Sequence, residues 1–123
     1  MSFVHSERVR FRDLDALGHV NNAVFATYLE QARIEFLRRF GATQQDMILA
    51  RLEIDFRAPV GFGEDVEIEV RPARVGRKSF ALDYTMRVDE RVVAEAKCVL
   101  VAYDYQREES VELPTRWREA LAA

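Results

Sequence analysis

The run NAVFATYLEQARIEFLRRF, residues 22–40, is where the chain takes up a helical period. Phe25, Leu29, Ala32, Phe36 and Phe40 follow one another at spacings of four, three, four and four residues, which sets them on one helix face. Thr27, Glu30, Gln31 and Arg38 mark the opposite face. Ile34 and Leu37 interrupt it, so the spacing predicts a helix buried more than halfway round. Asn21 or Asn22 can cap its start and Gly41 can stop it. At ~1.5 Å per residue the helix is about 28 Å long.

Everything after it has a period of two. Leu52, Ile54 and Phe56 alternate with Arg51, Glu53, Asp55 and Arg57, and Pro59 with Gly61 and Gly63 then breaks the run. Val66, Ile68 and Val70 alternate with charged neighbours up to Arg71. Phe80, Leu82, Tyr84, Met86 and Val88 do the same after Gly76. A turn near Asp89–Arg91 leads into residues 92–104. There Ala94, Ala96, Cys98, Leu100 and Ala102 share one face, while Val93, Val99, Val101 and Tyr103 occupy the other. A strand apolar on both faces needs cover on both sides, and one helix supplies one side. A subunit interface is the expected second cover. The small residues of the first face suit a close helix approach.

Upstream, residues 3–11 read as a short strand and 12–21 as a polar loop. The tail 114–122 fits one or two helical turns. The order is strand, helix, then four strands with short connections, which favour antiparallel pairing. Strands this long can curl as one twisted sheet around the helix. The expected class is α+β: about five antiparallel strands around one long central helix, as a single domain over residues 1–123. A ferredoxin-like arrangement needs a second amphipathic helix, and 42–113 offers none.

Composition narrows the function. The chain is 49% hydrophobic and 32% charged, with 18 basic and 21 acidic residues and a net charge of −3. That balance gives no electrostatic reason for a nucleic-acid partner. Cys98 is the single cysteine and there are two histidines, a poor metal inventory. No metal and no cofactor are expected. The N-terminus lacks a secretory signal and no apolar run is long enough to span a bilayer, so a cytoplasmic location is expected.

The loop before the helix can do chemistry. Asp13, Asp15, Gly18, His19, Asn21 and Asn22 lead directly into a helix N-terminus, whose unpaired N–H groups carry partial positive charge. Such donors can hold a carbonyl oxygen as negative charge builds on it. A nearby carboxylate can attack an acyl carbon or deprotonate a water that does. Asp and Asn in this position also serve as plain helix caps.

The segment Arg10-Phe11-Arg12-Asp13-Leu14-Asp15-Ala16-Leu17-Gly18-His19-Val20-Asn21-Asn22, followed by Tyr28-Leu29-Glu30-Gln31-Ala32-Arg33, resembles the opening of the 4-hydroxybenzoyl-CoA thioesterase-type branch of the hotdog superfamily. The later strand order fits as well, so the resemblance covers most of the chain. It implies a hotdog acyl-CoA thioesterase that releases free acid and coenzyme A. It assigns the catalytic carboxylate to Asp15 and the oxyanion donor to a backbone N–H near Asn22. His19 helps position substrate or water, and Asn21 lines the same bend. Asp13 is structural, holding the loop or pairing with Arg10 or Arg12.

Glu30 sits where another hotdog branch carries its catalytic acid. With Asp15 present it reads as an ion-pair or interface residue, bonded to Arg33 or to a partner subunit. Phe25 and Tyr28 are core residues that can also wall an acyl pocket. Arg74, Arg77, Lys78 and Ser79 gather around Gly76 between two strands, and basic groups on a flexible turn suit the phosphates and pantetheine arm of coenzyme A. In the resembled family the coenzyme lies at this turn, near a subunit boundary. His5 reads as an ordinary surface or packed histidine, Cys98 as a small core residue, and Ser79 lacks the histidine of a triad. The expected state is a homo-oligomer, a dimer or a homotetramer built from two hotdog dimers. A hotdog hydratase or dehydratase and a non-catalytic acyl-CoA binding module are the rival functions.

Overall fold

The computed structural model describes residues 2–123. Its elements are β1 (Phe3–Arg8), α1 (Asn22–Arg38), β2 (Met47–Phe56), β3 (Asp65–Val75), β4 (Ser79–Val88), β5 (Arg91–Asp104), a two-residue β6 (Glu109–Ser110) and α2 (Thr115–Ala122). The strands form one antiparallel sheet in the order β1-β3-β4-β5-β2, with β6 pairing β5. α1 lies against one face of this sheet, which is the expected hotdog arrangement.

α1 ends two residues before Phe40. Ala42 donates to the Leu37 carbonyl, and Gly41 takes a φ of +75°, a conformation that favours glycine. β1 is shorter than its alternation suggests. The chain turns at Val9, and Phe11–Asp13 form a 3-10 turn that leaves the Phe11 ring in solvent. β2 starts at Met47, earlier than the alternating run, because a bulge between Leu49 and Arg51 puts the pattern out of step.

Two expectations need correction. Short connections do not pair every successive strand: β2 and β3 are neighbours in sequence but not in the sheet. Residues 57–64 carry the chain from the β2 edge to β3, and β4 and β5 lie between. With strands ~4.8 Å apart this is a span of about 14 Å. Likewise, the small residues of β5 are not where α1 comes closest. The helix approaches most closely over β1 and β3. The inner face at β2 is therefore only partly covered, with Leu52 and Ile54 half-buried and Leu49 and Phe56 exposed.

The core lies between α1 and the sheet. Leu29, Ala32, Phe36 and Leu37 meet Ile68, Val70, Phe80, Leu82 and Leu100, and Trp117 and Leu121 of α2 extend the cluster. The outer side of β5 stays partly open at Val99, Val101 and Tyr103. Val93 is the exception, because Arg57 and Ala58 donate to its carbonyl and the crossing segment covers it. No helix among the described residues is long and apolar enough to cross a membrane.

Candidate active site

Residues 14–20 form a miniature hairpin. Leu14 bridges Val20, the Asp15 N–H donates to the His19 carbonyl at 2.8 Å, and the Gly18 N–H donates to the Asp15 carbonyl at 3.1 Å. Gly18 closes the turn at φ +81° with open space where a Cβ would stand, so its requirement is conformational. The crossing segment holds this hairpin from below: His19 bridges Gly61, and the Val20 N–H donates to the Val60 carbonyl at 2.8 Å.

The two aspartates have separate environments. Asp13 is 4% exposed. Its Oδ2 accepts from the Tyr28 hydroxyl at 2.6 Å and the Arg10 N–H at 3.0 Å, and the Arg10 guanidinium reaches both oxygens at 3.5 Å. Burial pushes this carboxyl up, but the bonds from Tyr28 and Arg10 outweigh it and hold the group below the ordinary Asp value. The Tyr28 phenol is correspondingly raised, first by burial and then by its bond to the carboxylate. Asp13 is a structural tie, as the sequence suggests. Asp15 is exposed, and its Oδ1 accepts the N–H groups of Leu17 at 2.8 Å and His19 at 3.3 Å. Its own loop thus fixes one carboxylate oxygen.

Asn21 is the helix cap. Its Oδ1 accepts the Ala23 N–H at 2.8 Å and its carbonyl accepts the Val24 N–H at 2.9 Å. The Asn22 N–H is left without a partner among the described residues. Asp15, His19 and Asn22 open into one cleft of about 320 Å³. Phe25, Phe56, Arg57, Ala58 and Pro59 complete it, with the rings of Phe25 and Phe56 edge to face at 5.2 Å. A carboxylate, an imidazole and a free helix N–H beside an apolar wall form a set that can hold a carbonyl and attack it.

Several expected site residues lie elsewhere. Tyr28 is buried on the inner face of α1 and does not line the cleft, and its hydroxyl bonds Asp13 instead. Asn21 spends its side chain on the cap. Arg74, Arg77, Lys78 and Ser79 occupy the β3–β4 turn, at the far end of β3 from Asp65. The length of β3 separates that turn from the cleft end, about 33 Å of extended chain. One chain does not bring the two together. Within the turn the Gly76 N–H donates to the Ser79 carbonyl, Lys78 Nζ lies 3.5 Å from Ser110 Oγ, and Arg77 pairs loosely with Glu112 at 3.6 Å. Phe56, Arg57 and Pro59 are cleft residues whose sequence pattern marks only a strand and its break. Only the break at Pro59 hinted that the chain changes course there.

A larger cleft, about 370 Å³, lies at the opposite end between Tyr103, Tyr105 and Trp117. Its acids, Asp46 and Asp104, both cap local turns. Among the described residues no group of His, Cys, Asp or Glu could hold a metal ion.

Comparison with known proteins agrees with this fold. Residues 9–121 match the family model described as the thioesterase-like superfamily. A 1,4-dihydroxy-2-naphthoyl-CoA hydrolase of Synechococcus elongatus is 30% identical, over 92% of this chain and 90% of its own. A thioesterase from Thermus thermophilus, solved with coenzyme A and zinc, is 35% identical with a TM-score of 0.90, covering 98% of this chain and 97% of its own. A 1,4-dihydroxy-2-naphthoyl-CoA thioesterase from Synechocystis, at 21% identity and a TM-score of 0.90, shares the fold over 99% of this chain and 96% of its own. The family match over residues 9–121, with a long helix on a curled antiparallel sheet, places the chain in the thioesterase-like superfamily as a hotdog-fold thioester hydrolase.

Proposed function

We propose that the substrate is an acyl-CoA and that Asp15 is the catalytic carboxylate. The observation that carries this is that Asp15 and Asn22, whose N–H has no partner among the described residues, line one cleft at the helix start. The thioester oxygen sits at the Asn22 N–H, where the helix dipole favours the charge that develops on it. Asp15 either attacks the carbonyl carbon, forming a mixed anhydride as the thiolate leaves, or takes a proton from a water that attacks. His19, on the same hairpin, positions the acyl group or the water. Phe25 and Phe56 give the acyl group an apolar aromatic wall, which suits an aryl group of the kind named for the cyanobacterial relative.

The working form is a cytoplasmic homo-oligomer in which hotdog dimers associate into a tetramer. β2 supports this reading, because it is a sheet edge with an unpaired ladder and exposed Leu49 and Phe56. Antiparallel pairing of two such edges sets the Asp15 end of one sheet beside the opposite end of the other. That end carries the Arg74–Ser79 turn, so the coenzyme phosphates can meet the partner's basic groups. The site then joins residues that one chain keeps apart.

Purified protein incubated with a panel of acyl-CoAs should release free coenzyme A, detected with a thiol reagent. Asp15→Asn should lower turnover by about 10²-fold or more with an unchanged circular dichroism spectrum. Full turnover in that variant, or a panel without any cleavage above background, would reject the assignment.

A further inference from the structure

Arg33 is 3% exposed and has no carboxylate partner among the described residues. Its Nη1 donates to the Tyr84 hydroxyl at 3.3 Å, a neutral acceptor, and its Nε has no partner among the described residues. A buried guanidinium left this way is costly, and proteins rarely keep one without an anion. One helical turn earlier, Glu30 is exposed and makes no ion pair among the described residues, so of the two partners the sequence suggests, Arg33 or a partner subunit, the internal one is not made. Both residues line a groove of about 170 Å³ between α1 and β2, together with Ala26, Thr27, Leu49 and Leu52. An unpaired cation is buried at the groove, an unpaired anion stands at its rim, and an open strand edge lies alongside.

We propose that this groove is filled by a second copy of the chain, with each Arg33 receiving the partner's Glu30. The inference rests on the oligomeric reading above and names the contact that holds it together. A two-fold interface is self-complementary: if Arg33 meets the partner's Glu30, then Glu30 meets the partner's Arg33. One interface thus makes two such pairs and neutralises both buried cations. The apolar lining points to the same occupant, because α1 of one chain leaves the β2 side of its own sheet face half bare. The Asp15 cleft lies farther along the same seam, between Phe25 and Phe56, so the incoming copy also closes that cleft.

The test uses the full chain and analytical ultracentrifugation. Wild type should sediment as a dimer or larger at micromolar concentration. Glu30→Arg changes an exposed side chain, so the fold should hold while the dissociation constant rises by about thirtyfold or more. Its thioesterase rate per chain should fall on dilution and recover at high protein concentration. Arg33→Glu alone should also dissociate. Mixed in equal amounts, the two folded variants should form a heterodimer. The arginine introduced in one chain then faces the glutamate introduced in the other, while the second pair keeps its native residues. If Arg33→Glu does not fold, Glu30→Arg with Arg33→Met supplies the same reading without the rescue arm. A dimer that Glu30→Arg leaves as tight as wild type overturns the pairing alone. A monomeric wild type overturns the assembly with it.

Discussion

The hydroxyl of Tyr28 donates to Asp13 Oδ2 across 2.6 Å, and this bond joins the buried face of α1 to the loop that carries Asp15. Asp13 in turn takes the Arg10 N–H, and its carbonyl accepts the Asn21 N–H at the helix cap. Tyr28→Phe removes one donor from a buried carboxylate at little cost in packing. It should destabilise the fold by about 2 kcal/mol and lower turnover by loosening the Asp15 hairpin. Denaturant unfolding and steady-state kinetics on the same preparation measure both. A variant as stable as wild type would show that the bond contributes nothing net.

Asp13 also sets an acid limit. Its folded carboxyl lies below the ordinary value, so the unfolded chain binds the proton more readily. Its contribution to stability is therefore complete above the unfolded pKa of about 3.9 and is lost as the pH falls through the folded value. Stability should drop as the pH is lowered below about 4, and Asp13→Asn should flatten that part of the profile while lowering the plateau near neutrality. Melting temperatures across the acid range would decide it, and parallel profiles for the two proteins would refute the assignment.

Gly18→Ala tests whether the hairpin depends on backbone shape alone. A methyl group meets nothing within 4 Å there, so the cost is that of a left-handed residue, about 1 kcal/mol. The melting temperature should fall by about 4 °C, and turnover should fall further than stability does, because the strain sits between Asp15 and His19. Unchanged kinetics with the expected loss of stability would separate the turn from the chemistry.

The β3–β4 turn makes a prediction about coenzyme recognition. The side chains of Arg77 and Lys78 make only long polar contacts, and loose surface pairs of this kind are worth at most about 1 kcal/mol. Replacing Arg74, Arg77 and Lys78 with alanine should therefore leave the melting temperature near its wild-type value. KM for acyl-CoA should rise severalfold, most clearly at low salt, with little change in kcat. A short thioester without the nucleotide should be hydrolysed as before. Equal effects on both substrates would remove the turn from coenzyme binding.

The residues explain which parts of this molecule are legible in its sequence. α1 is legible because five apolar side chains repeat at helical spacing and Gly41 stops the run. Its neighbour β2 is half hidden, because the bulge between Leu49 and Arg51 cancels the alternation that marks a strand. The order of strands is not legible at all. Alternation says that a segment is extended and one-sided, but not which segment lies beside it, so the edge position of β2 appears only in three dimensions. The site divides in the same way. Asp15, Gly18, His19 and Asn22 fall within eight consecutive residues and announce themselves, whereas Phe56 and Arg57 reach the cleft only through the crossing that no local pattern encodes. Arg33 reads as an ordinary charged position of α1, and its burial is a property of the packed state.

Residues 57–64 have a further consequence, for the time at which the hairpin around Asp15 comes into being. The bonds Val20–Val60 and His19–Gly61 close a span of about forty residues, and a contact so distant along the chain is entropically expensive until the sheet is assembled. The hairpin around Asp15 is too small to persist by itself. Catalytic competence should thus emerge with the final docking of the sheet, and a partly folded chain carries the whole motif while lacking the enzyme.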